Sequence, residues 1–303
     1  MKILVSGGTG LVGQELVRIL VNRGHEVLVL TRNTSHKSLQ NHFHWDPTKE
    51  EIDSSVFQDI DGLIHLAGAG IAKQRWSRKR KEILHHSRIA SAKFLHRKCL
   101  ELNVALKFFI SCSATGWYGG INDLELKTEH MEAYPDFLGK MCADWEEAAD
   151  LFKNDMCQVS KLRLGLVLSQ KGGALPIMSL PIKLGVGSPL GSGKQFMPWI
   201  HLDDLCQIFL NLVEGLLPHS IYNAVTPNYV TNKEFTLIAA KALYRPLWVP
   251  HVPSFVLRLL FGEMSDILLK GSPVSADKLS NHGFTFKFPE LSKALNHIWK
   301  KVD

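Results

Sequence analysis

Lys2-Ile3-Leu4-Val5-Ser6-Gly7-Gly8-Thr9-Gly10-Leu11-Val12-Gly13 decides the architecture. Ile3-Leu4-Val5 is a short apolar run closed by glycine and reads as a buried strand. Leu16, Val17, Leu20 and Val21 then recur at helical spacing, with Gly24 as the stop. Val27-Leu28-Val29-Leu30 is a second buried strand, so strand, helix and strand follow one another within about thirty residues. Gly8, Gly10 and Gly13 fit G-x-G-x-x-G, and Gly7, Gly10 and Gly13 fit G-x-x-G-x-x-G. Each glycine in such a turn has its own physical task. One lets the chain turn out of the strand, one lets the backbone approach a pyrophosphate, and Gly13 lets the helix pack close to the sheet. The helix N-terminus adds free N–H groups and the positive end of its dipole. Gly7, Thr9, Gly10, Leu11, Val12 and Gly13 are therefore the candidate phosphate cradle. A glycine turn without a ligand is the other reading, and the strand before it and the helix after it argue for the cradle.

The second strand ends in Thr31-Arg32. A carboxylate there would take the ribose 2′-hydroxyl of NAD, whereas Arg32 offers a guanidinium to the 2′-phosphate of NADP(H). A solvated surface arginine is the alternative. Further strands read from Gly62 to Ala69, Phe108 to Ala114 and Val159 to Leu168, with helical patterns over 77–103 and 138–153. The first two of these strands end in small or hydroxyl residues, which leave room for a cofactor at the carboxyl edge of a sheet. The fold class is α/β: a Rossmann-type doubly wound parallel sheet over residues 1–170. After Gly172-Gly173 a stretch rich in Gly and Pro runs to Pro198 and reads as loop. It leads into a smaller C-terminal α/β substrate-side domain over 171–303, whose later elements are free to rejoin the sheet. Helical patterns there lie near 203–215, 232–243, 253–270 and 290–300.

The 303 residues, 45% hydrophobic and 21% charged, suit a folded globular chain with a sizeable core. A net charge of +6 fits anionic ligands such as nucleotides and does not by itself argue for nucleic acid. Five cysteines without a C-x-x-C pair point away from a disulfide framework or a zinc site and toward a reducing, cytoplasmic setting. The apolar stretch from Phe255 to Phe261 is interrupted by Arg258 and too short for a bilayer. Neither a membrane nor a nucleic-acid partner is expected, and the oligomeric state is left open. His42-Phe43-His44 puts two imidazoles on one face of an extended segment and has no third ligand; no metal is expected.

Four separated stretches resemble the extended short-chain dehydrogenase/reductases. They are the glycine turn, Leu66-Ala67-Gly68, the run Ser111-Cys112-Ser113-Ala114-Thr115-Gly116-Trp117-Tyr118-Gly119, and Pro198-Trp199-Ile200-His201-Leu202-Asp203-Asp204-Leu205. Arg75-Trp76, Ser87-Arg88, Asp144-Trp145-Glu146, Thr231 to Phe235, Gly283-Phe284 and Phe288 to Leu291 resemble one atypical branch, the YfcH-like epimerase family. The resemblance spans nearly the whole chain. It implies an NADP-binding domain, with Leu66, Ala67, Gly68 and Arg88 beside the cofactor, and an NADP-dependent oxidoreductase or nucleotide-sugar-type epimerase acting on a small polar substrate.

One departure stands out. Relatives carry Tyr-x-x-x-Lys on the helix after the serine strand, where the lysine lowers the tyrosine pKa for proton exchange. Anchored on Glu146, the tyrosine position is Leu138 and the lysine position is Cys142. The literal match at Tyr229 and Lys233 falls far from that helix and is rejected. Ser113, as a hydroxyl for a substrate oxygen, and Tyr118, as a phenol, remain the catalytic candidates. The bland readings are a serine satisfying nearby backbone and a packed tyrosine. Arg163 is a weaker candidate to face an anionic substrate. Trp199 and Phe196 either line a pocket or pack. The basic run from Lys73 to Arg88 reads as a solvated helix face apart from Arg88. A non-catalytic NADP(H) sensor is the competing function, favoured by the missing pair.

Overall fold

In the computed structural model, which describes residues 1–32 and 41–300, the opening run becomes β1 (Lys2–Ser6) in the middle of a sheet. Ile3, Leu4 and Val5 are wholly buried, as expected for a strand covered on both faces. The glycine turn leads into α1 (Leu11–Asn22), followed by β2 (Glu26–Thr31), β3 (His42–Asp46) and the short β4 (Glu51–Ile52). β5 (Gly62–His65), α2 (Arg78–Glu101), β6 (Phe108–Ala114), α3 (Phe137–Asp150) and β7 (Gln158–Leu164) continue the alternation. Ser77 caps α2 by accepting from the Arg80 N–H, and Asp136 caps α3 by accepting from the Gly139 N–H.

The apolar run from Val159 to Leu168 does not stay in one sheet. Gly165 breaks it, because a Cβ there would lie 2.7 Å from the Pro198 carbonyl oxygen. Beyond it β8 (Leu166–Leu168) pairs with β9 (Trp199–His201), with α4 (Leu175–Lys183) between them. The stretch expected to be loop thus contains a helix. Pro176 sits at its start, where a missing N–H costs nothing, and Leu175 and Ile182 bury one face although Pro181 interrupts the hydrogen bonding. The chain goes on through α5 (Leu202–Val213), β10 (Ile221–Ala224), α6 (Asn232–Ala242), α7 (Ser254–Phe261), α8 (Asp266–Leu269), α9 (Asp277–Asn281) and α10 (Leu291–Trp299). The helical pattern expected over 253–270 is interrupted at Gly262, whose φ is +59°.

The strand order is β10-β7-β6-β5-β1-β2-β3-β4, parallel except for the β3–β4 pair. Succession runs one way from β1 to β3 and the other way from β5 to β7. The switch therefore lies between β1 and β5, and the carboxyl ends of these strands flank the crevice where ligands of such sheets bind. Side chains alternate faces along each strand. Ile3 and Val5 pack with Leu16 and Leu20 of α1 and with Leu205 and Phe209 of α5, while Leu4 packs with Phe94 and Leu95 of α2 and with Phe152. A further core, built on Trp199, Phe235, Phe288, Leu291 and Leu295, holds the C-terminal layer together. β10 returns from that half of the chain to pair with β7 in the main sheet.

Candidate functional site

The turn after β1 is tight because Gly7 takes φ +75°, and a Cβ there would lie 2.7 Å from the Ala67 nitrogen. That near contact seats the glycine turn against Leu66-Ala67, the residues that leave β5. Gly13 packs its Cα on the same turn, where a Cβ would come within 2.5 Å of Gly8 Cα. Gly10 is the helix cap; it has no side chain to accept the first N–H groups, and α1 carries no acidic residue in its first turn. Thr9 and Gly10 are exposed, Leu11 and Val12 are half-buried, and a Cβ at Gly10 would meet only the Gly7 carbonyl, at 3.3 Å. The cradle thus offers open backbone at a helix N-terminus, and these residues fit a pyrophosphate. Gly172 and Gly173 lie against the Leu11 side chain, and Lys171 Nζ donates to Glu15 of α1 at 3.1 Å. At the end of β2, Thr31 is buried and Arg32 is exposed.

Behind the cradle, Ser6 Oγ lies 2.6 Å from His65 Nδ1, and Ser91 Oγ lies 3.1 Å from His65 Nε2. The Ser91 hydroxyl donates to the Ser87 carbonyl, so Nε2 carries the histidine proton and Ser6 donates to Nδ1. Burial pushes the His65 pKa down to about 4 and keeps the ring neutral. The loop after β5 is strapped to α2. Arg80 donates to the Gly70 carbonyl, Arg88 Nη2 to the Ala69 carbonyl at 2.9 Å, and the Ala69 N–H to Ser87 Oγ at 3.0 Å. Arg88 is buried over the Trp145 ring, and burial lowers its pKa.

The catalytic candidates sit in a buried polar network. Ser113 donates to Glu146 Oε1 at 2.8 Å, and Arg163 grips the same carboxylate through Nε at 2.8 Å and Nη2 at 3.1 Å. The Tyr118 phenol donates to Asn223 Oδ1 at 2.6 Å and accepts from Arg163 Nη1 at 3.1 Å. Burial pushes the Tyr118 pKa up to about 12. Arg163 is 1% exposed and lies 3.7 Å from the Trp117 ring centroid, so its charge is spent inside the network, not on an open surface. Leu138 and Cys142 face Gly116, where a Cβ would lie 3.4 and 3.6 Å from them, and burial pushes the Cys142 thiol up to about 12. Glu146 and Asn223 were not singled out in the sequence as partners; the Asp-Trp-Glu stretch was the one available signal for the first.

Other sequence candidates resolve into structure. Trp199 is wholly buried in the C-terminal core, and Phe196 is half-buried and bridges to Thr231. Tyr229 precedes the Thr231–Glu234 capping box of α6. The basic run is divided: Arg78 pairs with Glu82, Lys81 reaches Glu263 at 2.6 Å, and Arg88 turns inward. His44 meets Glu51. Among the described residues, His201, Asp203 and His297 gather ligand-type atoms within 4.8 Å of one another. His201 Nδ1 accepts the Asp203 N–H at 3.0 Å, which leaves the proton on Nε2, pointing at His297 Nδ1 3.3 Å away. That arrangement is a helix cap and a hydrogen-bonded pair of imidazoles. No helix among the described residues is long and apolar enough to cross a membrane.

Comparison with known proteins matches this architecture. A sequence model of the NAD dependent epimerase/dehydratase family covers residues 3–224, and one of a domain of unknown function, DUF1731, covers 252–298. Epimerase family protein SAR0825 of Staphylococcus aureus is 35% identical over 306 residues, 99% of each chain. Human epimerase family protein SDR39U1 is 34% identical over 305 residues, 98% of this chain and 99% of its own. The crystal structure of human SDR39U1 (isoform 2) with NADPH superposes with a TM-score of 0.88, at 31% identity and over 100% of both chains. A nucleoside-diphosphate sugar epimerase from Corynebacterium glutamicum superposes with a TM-score of 0.76 at 29% identity, over 98% of this chain and 57% of that one.

Proposed function

The chain belongs to the NAD dependent epimerase/dehydratase family, and from that premise we propose that it binds NADP(H) and is an NADP(H)-dependent oxidoreductase acting on a small polar substrate. The observation that carries this reading is the open glycine cradle beside Leu66-Ala67, with Arg32 one strand away at the end of β2. Gly7, Thr9, Gly10, Leu11, Val12 and Gly13 would hold the pyrophosphate, Thr31 and Arg32 the 2′-phosphate end, and Leu66, Ala67, Gly68 and Arg88 the opposite side. The bound cofactor supplies hydride chemistry. The human relative solved with NADPH supports the choice of NADP(H). Five free, buried cysteines fit a cytoplasmic protein.

Oxidoreduction is favoured over epimerisation on chemical grounds. Epimerisation removes and returns both a hydride and a proton, so it asks more of an acid–base pair, and Leu138 and Cys142 supply none. Ser113 is the hydroxyl proposed to hold the substrate oxygen, which requires its proton to leave Glu146. Tyr118 would have to release Asn223 to serve as a proton donor. Calorimetry with NADPH, followed by NADPH consumption against small polar carbonyl compounds, tests the proposal. Turnover abolished by Ser113→Ala supports it, and absence of NADPH binding refutes it. The commitment of both hydroxyl protons to buried partners favours a second reading, a non-catalytic NADP(H) sensor. That reading predicts tight NADPH binding without turnover.

A further inference from the structure

α7 carries an apolar stripe that is left open among the described residues. Phe255 is 69% exposed and Leu259 74%, whereas Leu257, on the opposite side of the helix, is buried. Positions 255, 259 and 262 follow at i, i+4 and i+7, so they lie along one side of the helix. The stripe ends on Arg75. Gly262 has φ +59°, and a Cβ there would lie 2.9 Å from Arg75 Nη2 and 3.4 Å from its Nε. The bare backbone lets the guanidinium close on the end of the stripe. Arg75 is exposed, and among the described residues it has no ion pair and no side-chain hydrogen bond.

Two sets of ties hold this segment to the loops that leave β5 and β6. Arg75 belongs to the loop after β5, and Glu263, just past Gly262, pairs with Lys81 in the first turn of α2 at 2.6 Å. After α8, the Gly271 N–H donates to Asn122 Oδ1 at 3.0 Å and Asn122 Nδ2 donates to the Leu269 carbonyl at 3.2 Å, in the loop that follows Tyr118. These ties put the end of α7 at the mouth of the crevice, on the side of β5 and β6. Charge there has one sign, since no Asp or Glu occurs from Phe235 to Gly262 or from Gly68 to Lys81. Such a surface attracts anions. We propose that the substrate is an amphipathic anion, with a carboxylate or phosphate group that pairs with Arg75 and an apolar body that lies along Phe255 and Leu259. The stripe from 255 to 262 is roughly 10 Å long, the reach of a chain of about eight carbons. Two side chains on so short a helix fall well below the roughly 800 Å² that each partner buries in a stable protein contact. The proposal rests on the NADP(H) reading above and narrows the polar substrate named there to one with a charged head and an apolar tail.

Calorimetry on the NADPH-loaded protein compares octanoate and octyl phosphate with acetate, which lacks the tail, and with 1-octanol, which lacks the charge. At least one of the two tailed anions is expected to bind about tenfold or more tighter than both controls. Arg75→Gln is expected to weaken that anion about tenfold while leaving NADPH within about twofold, with Arg75→Lys recovering part of the loss. Leu259→Ser removes apolar surface at the other end of the site and is expected to weaken the same anion about fivefold or more. Both side chains are exposed, so both variants should fold, and urea unfolding checks that they do. A protein that binds NADPH but treats the four compounds alike, or folded variants that hold the tailed anion as tightly as the wild type, overturns the proposal and leaves the cofactor reading standing. So does a Leu259→Ser protein that keeps the anion but loses a dimer in sedimentation or adhesion to phosphatidylserine vesicles, since the stripe then belongs to a second copy or to a membrane. A wild-type protein that binds no NADPH overturns the cofactor reading itself.

Discussion

Alanine at Gly10 and at Gly13 separates the two tasks of the glycine turn. At Gly13 the added methyl would stand 2.5 Å from Gly8 Cα and 2.8 Å from Gly8 C, all backbone atoms that cannot rotate away. Ordinary carbon contacts lie at about 3.5–4.0 Å, so α1 and the turn must part by about 1 Å. Overpacking of that kind costs about 1–3 kcal/mol of stability, and it also displaces donors that must be held to within about 0.5 Å. At Gly10 the methyl meets only the Gly7 carbonyl at 3.3 Å, so the free protein should unfold within about 0.5 kcal/mol of the wild type. It would, however, occupy the face on which the pyrophosphate is proposed to lie. The expected outcome is that Gly13→Ala lowers both the urea midpoint and NADPH affinity, whereas Gly10→Ala leaves the midpoint in place and weakens NADPH about tenfold or more. Urea unfolding followed by tryptophan fluorescence, together with NADPH calorimetry, reads both quantities. A Gly10→Ala protein that binds NADPH as tightly as the wild type would show that the phosphates do not rest on this turn.

Three further outcomes follow from individual residues. Arg32→Ala should weaken NADPH by about ten- to a hundredfold and NADH far less; equal losses would remove its part in reading the 2′-phosphate. Glu146→Ala leaves Arg163 charged, 1% exposed and without its carboxylate, and should cost about 3–5 kcal/mol in urea unfolding, while Glu146→Leu combined with Arg163→Met should regain most of it. A single-mutant loss under about 1 kcal/mol would mean the pair is not holding β7 to α3. The His65 pKa stands at about 4 against an ordinary 6.5, so between those values the unfolded chain takes up a proton that the folded chain refuses. Its contribution is therefore complete above about pH 6.5 and is lost as pH falls toward 4, on the order of 3 kcal/mol in all. Stability of His65→Gln, measured by urea unfolding from pH 7 to 4, should fall less steeply than that of the wild type, and parallel profiles would refute the assignment.

The amino-acid order alone determined the frame of the proposed dinucleotide site. Ile3 to Val5, the glycine turn, the helix after it and the strand ending at Arg32 are contiguous, and their periodicity is set by geometry within one or two turns of chain. The ends of β5 and β6 were legible for the same reason, and so was the absence of tyrosine and lysine at Leu138 and Cys142. The split at Gly165 was not, because the glycine there answers to Pro198, which lies more than thirty residues further on. β10 was missed because four residues between turns carry little periodicity, and α4 because its prolines argue for loop until the apolar face finds its place. Only the tertiary structure decided what the polar groups do. Ser113 meets Glu146 across 33 residues, Tyr118 meets Asn223 across 105, and Arg88 turns inward from a run of charges that otherwise reads as solvated. A hydroxyl has one proton and a guanidinium one set of donors, and where they go depends on neighbours that folding supplies, which no local pattern encodes.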